Sequence, residues 1–243
     1  FLFFLALTAI IALVQWEFYR LAREKGLSYP FLFYLISSLL IPVSFYLSLP
    51  LPNVFGLLTA LLILTLYQLL QRRTPKDALT NLSLGCFGFV YGSLFLSFLI
   101  TIKSFPQGEK LLFAAMIVAW SGDTAAYYTG RHFGKHKLAP QISPNKTTEG
   151  AVGGLGGSLI GLLLFKQFFF KQLPWTDMIF LSLFFGAIGQ LGDLMESVIK
   201  RSAEVKDSGH LIPGHGGILD RLDSLIFIAP FYYYYLNKIL AIP

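Results

Sequence analysis

Eight stretches of about 20 mostly apolar residues follow one another along the chain, and as helices each is long enough to cross the hydrocarbon of a bilayer. They lie at roughly 1–16, 29–49, 53–71, 78–102, 111–130, 150–170, 176–199 and 217–240. The pattern predicts an all-α, polytopic integral membrane protein with about eight to nine transmembrane helices. The ninth is expected ahead of Phe1, where a chain that does not start with Met reads as trimmed. The fourth stretch is long enough to tilt or break near Gly85, Gly88 or Gly92. Between the stretches the polar segments are short except at 131–149 and 200–216, which leaves those two loops as the places for chemistry.

Composition agrees with this pattern. Only 13% of the 243 residues are charged and 55% are hydrophobic, whereas a soluble globule carries about 25% charged residues. The single cysteine, Cys86, sits in an apolar run and excludes both a disulfide framework and a cysteine-rich zinc site. With residue 1 placed outside, the inner segments hold 14 of the 19 Lys and Arg residues, and Lys103, Lys110, Lys166, Lys171 and Lys238 fall outside. The asymmetry follows the positive-inside rule and puts both long loops in the cytoplasm, consistent with an inner-membrane protein whose working face is cytoplasmic. The net charge of +6 is therefore a topology signal, and no module for nucleic acid accompanies it.

Acids divide the chain. The spans before residue 110 are read as nearly free of interior acids, and those after it carry Asp123, Asp193, Glu196, Asp220 and Asp223. Residues 1–109 thus read as a membrane scaffold and 110–243 as the working half. A carboxylate at the centre of a membrane helix costs about 2.5–3.5 kcal/mol to insert, so it faces a cation, a partner or a polar cavity. Asp193, Glu196, Ser197 and Lys200 share one stripe of the seventh span, and Asp220, Asp223 and Ser224 repeat the arrangement at the start of the eighth. Acids clustered with seven or more basic residues on one membrane face suit a site that holds divalent metal and phosphate together, because hard cations take carboxylate oxygens and Lys or Arg neutralise phosphate.

The loop KDSGHLIPGHGG at 206–217 leads into a helix N-terminus, and its glycines let backbone amides approach an anion. It is neither a Walker loop nor a dinucleotide fingerprint. In the other loop, Arg131, Lys135, Lys137 and Lys146 follow Asp123 in a second anion-friendly segment. His132 and His136 have the spacing of a metal pair, but the lysines and arginine around them oppose a cation. Gly153, Gly157 and Gly161, four apart, read as a close helix-packing stripe.

The run Ser197–Asp223, SVIKRSAEVKDSGHLIPGHGGILDRLD, resembles the signature of the phosphatidate cytidylyltransferases, the CDP-diglyceride synthetases. Trp120–Gly150, with W-x-x-D-x-x-A-Y-x-x-G-R and I-S-P-N-K-T-x-E-G, and the GDLMES segment around Asp193 are similar to the same family. The resemblance covers the second half; the first half matches in being hydrophobic and multi-span. It implies conversion of CTP and phosphatidate into CDP-diacylglycerol and pyrophosphate with Mg²⁺, a second cation being left open. The role assignments that follow make Asp193 and Asp220 metal ligands, with Asp123 and Asp223 as second choices. Lys200, Arg201, Lys206, His215 and Arg221 are expected on phosphates, with the Gly216–Gly217 backbone at the triphosphate. Ser143, Asn145 and Lys146 are assigned to CTP or phosphatidate. The partners expected are CTP and membrane phosphatidate, with no nucleic acid, and a homodimer is left open. The rival readings are a related CTP-dependent enzyme acting on an isoprenoid lipid, such as a CDP-archaeol synthase or polyprenol kinase, and a secondary transporter. The transporter is disfavoured because these polar residues gather on one face instead of at the midplane.

Overall fold

The computed structural model describes residues 1–49, 51–70, 75–209, 211 and 216–238. It divides into two compact units, Phe1–Thr101 with Ile199–Leu222, and Ile102–Val198 with Asp223–Pro243.

In the first unit, α1 (Leu2–Arg23) buries Leu7, Ile11, Val14, Phe18 and Leu21 at alternating steps of four and three, the repeat that keeps one helical stripe facing its neighbours. Leu2, Leu5 and Leu13 on its other sides are exposed, as suits lipid contact. The helices α2 (Phe31–Tyr46) and α3 (Pro52–Leu70) follow. A single rod, Ala78–Ser104, then consists of α4 (Ala78–Gly88), a π turn at Phe89–Leu94 and α5 (Phe95–Ser104). The break expected near its glycines takes the form of this π turn. Gln15 from α1 serves it, donating to Gly88 O at 2.8 Å and Ser93 Oγ at 2.6 Å while accepting from the Tyr34 hydroxyl at 2.6 Å. Satisfying displaced backbone and hydroxyl groups inside the unit is what an apolar solvent demands.

The second unit contains α6 (Gly108–Phe133), β1 (Lys137–Ala139), β2 (Ser143–Thr147) and α7 (Thr148–Phe168). It also takes most of α8 (Trp175–Ser202) and of α9 (Leu219–Lys238). The expected glycine stripe packs α7 on α6. A side chain at Gly153 would run into Thr129, one at Gly157 into Ala125, and one at Gly161 into Ser121. The Ser158 hydroxyl crosses the same seam to Val118 O at 2.7 Å. Small residues bring the two backbones close enough for dispersion and hydroxyl bonding to hold them where hydrophobic driving force is weak.

Each of the eight apolar stretches coincides with a described helix or rod, so the all-α membrane class stands. Among the described residues, Leu2–Arg23, Ala78–Ser104, Thr148–Phe168 and Trp175–Ser202 are long and apolar enough to cross a membrane, and Phe31–Tyr46 and Val54–Leu70 are shorter. Two boundaries differ from expectation. The first helix continues past residue 16 to Arg23 and takes Glu17 with it. The loop expected at 131–149 is largely ordered: α6 runs to Phe133 and an antiparallel hairpin pairs Lys137 with Thr147 and Ala139 with Ser143.

Candidate active site

Three acids meet in the second unit. Asp193 and Glu196, one turn apart on α8, and Asp223 on α9 each place a carboxylate oxygen so that all three lie within 4.8 Å of one another. Gly192 makes this approach possible, since a β-carbon there would press on Asp223 O and the Phe227 side chain. Lys146 Nζ sits 2.7 Å from Asp193 Oδ1. Asp123, from α6, accepts from the Ser224 hydroxyl at 3.3 Å and is within electrostatic reach of Asp193 and Lys146. Glu196 is only 1% exposed. Carboxylates this close in poorly solvated surroundings repel one another unless a cation or proton is shared. Their all-oxygen donor set and spacing fit a hard divalent ion, which takes oxygens at about 2.0–2.6 Å.

Beside them lies a cavity of about 580 Å³, walled by Asp123, Asp193, Lys146, Ser143, Asn145, Arg131, Tyr127 and Gln190, with Leu138 and Leu194 supplying apolar wall. The hairpin carries Ser143, Asn145 and Lys146 to this wall, and Glu149 in the first turn of α7 holds the hairpin. Its Oε2 accepts from the Lys135 and His136 amides at 3.1 and 3.2 Å, and its Oε1 lies 2.6 Å from His136 Nδ1. Thr147 caps the same helix, its hydroxyl accepting from Gly150 N at 3.1 Å. His136 is thus engaged by Glu149, while His132 Nδ1 lies 2.9 Å from Tyr128 O in its own helix. Arg131 donates to the Tyr127 hydroxyl at 3.1 Å.

The other sequence candidates fall in the first unit. Lys200 pairs with Asp220 Oδ1 at 2.6 Å. Asp220 Oδ2 accepts from Ser208 N at 3.1 Å, the Ser208 hydroxyl at 2.9 Å and Gly217 N at 2.7 Å. Arg201 donates to Val205 O at 3.0 Å. Arg221 is exposed, and Gly216 has a φ of 79°, a left-handed conformation that its missing side chain permits. Lys206 lines a separate cavity of about 830 Å³ with Arg20, Arg23 and Glu24. His215 lies outside the described residues.

Three acids have a placement that the sequence does not disclose. Glu196 shares the polar stripe with Asp193 but was not assigned as a ligand. Glu149 lies inside the T-x-E-G segment, and only the folded hairpin reveals what it binds. A first span ending at residue 16 puts Glu17 in a loop. It is instead fully buried on α1, where it accepts from Ile218 N at 2.9 Å, Leu219 N at 2.8 Å and the Ser208 hydroxyl at 2.9 Å.

A helical membrane protein with clustered carboxylates beside a cavity that presents lysine, arginine and amide groups has the parts used by one class: membrane-embedded enzymes that handle phosphorylated substrates with a divalent cation. Within that class, residues 1–239 match the model of the cytidylyltransferase family, and the chain belongs to that family. It is 40% identical over 182 residues to the phosphatidate cytidylyltransferase of Bacillus subtilis (strain 168), covering 74% of this chain and 66% of that protein. It is 34% identical over 268 aligned positions to the phosphatidate cytidylyltransferase of Synechocystis sp., covering 98% of this chain and 89% of that protein. The phosphatidate cytidylyltransferase of Haemophilus influenzae is 47% identical over 133 residues, 53% of this chain and 46% of that protein. The chain therefore spans from about half to nine tenths of the length of these relatives.

Proposed function

We propose that the protein transfers the cytidylyl group of CTP to phosphatidate, giving CDP-diacylglycerol and pyrophosphate, at the cytoplasmic face of the inner membrane. The single observation that carries this reading is the Asp193, Glu196 and Asp223 cluster beside a cavity walled by Lys146, Arg131, Ser143 and Asn145, in a chain of the cytidylyltransferase family.

The reaction brings two polyanions together. A phosphate oxygen of phosphatidate attacks the α-phosphorus of CTP, the bond to the bridging oxygen breaks, and pyrophosphate leaves with the electron pair. Phosphatidate is ionised at neutral pH and needs no general base. What the protein must supply is alignment and countercharge. Asp193, Glu196 and Asp223 would hold the divalent cation, proposed as Mg²⁺, which when bound would offset charge on the triphosphate. Asp123 completes the acidic wall. Lys146, held by Asp193, and Arg131, braced by Tyr127, face the phosphates, and Ser143 and Asn145 orient one substrate by hydrogen bonds. Asp220, assigned a ligand role from the sequence, has Lys200 as its ion-pair partner. We place its contribution in tying Ser208 to Gly217 within its own unit, and we keep Lys206 and Arg201 as phosphate contacts proposed from the sequence.

The 14 to 5 division of basic residues supports cytoplasmic loops, where CTP is found. The lipid enters sideways, because drawing two acyl chains into water would forfeit about 0.8 kcal/mol per CH₂.

The test is direct. Purified protein with labelled CTP, Mg²⁺ and phosphatidate is expected to form lipid-phase CDP-diacylglycerol, and to form none when any one component is omitted. Turnover of an isoprenoid lipid phosphate with no product from phosphatidate would overturn the acyl-lipid reading. A cysteine placed within 135–145 is expected to react only from the cytoplasmic side.

A further inference from the structure

A glycine-flanked loop running into the start of a helix offers backbone amides to an anion. In this protein the anion that the Ile218 and Leu219 amides meet is the carboxylate of Glu17. They donate at 2.9 and 2.8 Å, across some 200 residues of sequence, and the Ser208 hydroxyl adds a third bond at 2.9 Å. Glu17 is completely buried on a helix that is otherwise apolar enough to cross a membrane. A buried carboxylate there is costly unless its lone pairs are met by donors and a positive field, and the N-terminus of α9 supplies both.

The glycines of the loop are shaped around this group. A β-carbon at Gly209 would lie 2.7 Å from Glu17 Oε1. A β-carbon at Gly217 would drive into the Ser208 hydroxyl and the Glu17 carboxylate. Two carboxylates therefore fasten one segment. Asp220, in the first turn of α9, ties Ser208 to Gly217 and closes the loop on itself, while Glu17 ties the closed loop to α1. Lys200 completes the set through Asp220.

We infer that Glu17 is a positioning residue for the reaction: its carboxylate occupies the anion site at the start of α9 and so holds Ser208 and Gly217–Leu219, with Asp220, in their working places. This rests on the cytidylyltransferase reading for its kinetic consequence, although the anchoring itself does not.

The experiment compares wild type, Glu17→Gln, Glu17→Asp and Gly217→Ala in lipid nanodiscs. Gln15→Ala serves as a control, since it opens a buried hydrogen-bond network on the same helix whose partners, Gly88, Ser93 and Tyr34, are not in the loop. Hydrogen exchange across residues 206–222 reads the anchor without reference to activity. Glu17→Gln puts an amide N–H where an acceptor is needed, so exchange there is expected to rise about tenfold or more, and Gly217→Ala is expected to do the same from the opposite side. Turnover per folded protein is expected to fall about 100-fold in kcat for Glu17→Gln, as for a displaced catalytic segment, with KM for phosphatidate changed less than threefold. Glu17→Asp is expected to recover part of that loss. Gln15→Ala is expected to lower the melting temperature yet keep kcat.

Unchanged exchange at 206–222 in both Glu17→Gln and Gly217→Ala would overturn the anchor. Raised exchange with kcat within twofold of wild type, or an equal kcat loss in Gln15→Ala, would overturn the positioning role. Should the wild type make no CDP-diacylglycerol, the functional reading fails instead, and the exchange result still decides the anchor.

Discussion

The two units solve the problem of a carboxylate in a membrane protein in opposite ways. In the first, Glu17 and Asp220 are met by protein donors: backbone amides of Ser208, Gly217, Ile218 and Leu219, the Ser208 hydroxyl, and Lys200. Negative charge is consumed in holding a loop. In the second, Asp193, Glu196 and Asp223 face one another within 4.8 Å, and Lys146 lies 2.7 Å from Asp193. Negative charge there accumulates beside a cavity. A carboxylate paired with fixed donors acts as a fastener. Carboxylates set against each other create demand for a cation, and it is on that demand that the proposed reaction rests.

The largest effect belongs to the cluster. Asp193→Asn keeps volume and removes charge, and it is expected to cut turnover by about 10³-fold, the scale of losing one electrostatic stabiliser of a transition state. The concentration of Mg²⁺ needed for half-maximal rate should rise with it. Next comes Asp220→Asn, expected to cost about 100-fold in kcat through a displaced loop with the Mg²⁺ requirement unchanged. A rise in that requirement matching Asp193→Asn would break the comparison and make Asp220 a ligand. Glu149→Gln should have a smaller effect, about tenfold, because the hairpin keeps its strand pairing while losing charge-assisted bonds to the Lys135 and His136 amides. That loss should appear in KM for CTP or phosphatidate, the substrates assigned to Ser143, Asn145 and Lys146. The smallest effect on turnover is expected from Gly157→Val on the α6 and α7 seam. Overpacking there should destabilise the protein by about 1–3 kcal/mol, read as a lower melting temperature in nanodiscs with kcat per folded protein retained.

The helices were legible because burial in lipid imposes one rule on every span: about 20 apolar residues with internal hydrogen bonding. The same rule made Asp193 and Asp223 conspicuous as violations. It hid Glu17, since an acid within a turn of Trp16 and Arg20 at the end of an apolar run looks like the beginning of a loop. The hairpin was hidden for a different reason. Lys137–Ala139 and Ser143–Thr147 carry no alternation of apolar and polar residues, and what orders them is Glu149, a residue of the following helix.

Local sequence alone therefore determined which segments are helical, that they belong in a membrane, that Gly153, Gly157 and Gly161 form a packing stripe, and that acids gather after residue 110. Each of these depends on periodicity or on the cost of moving one side chain into lipid, quantities that a linear pattern contains. Only the tertiary structure decided the fate of each acid. Asp220 and Asp223 stand three residues apart on one helix, yet Asp220 joins Lys200, Ser208 and Gly217 in one unit while Asp223 joins Asp193 and Glu196 in the other. Whether a carboxylate fastens a loop or gathers a cation depends on which donors lie within about 3 Å, and a donor can lie as far from its acceptor in sequence as Leu219 lies from Glu17, the two brought together only by packing.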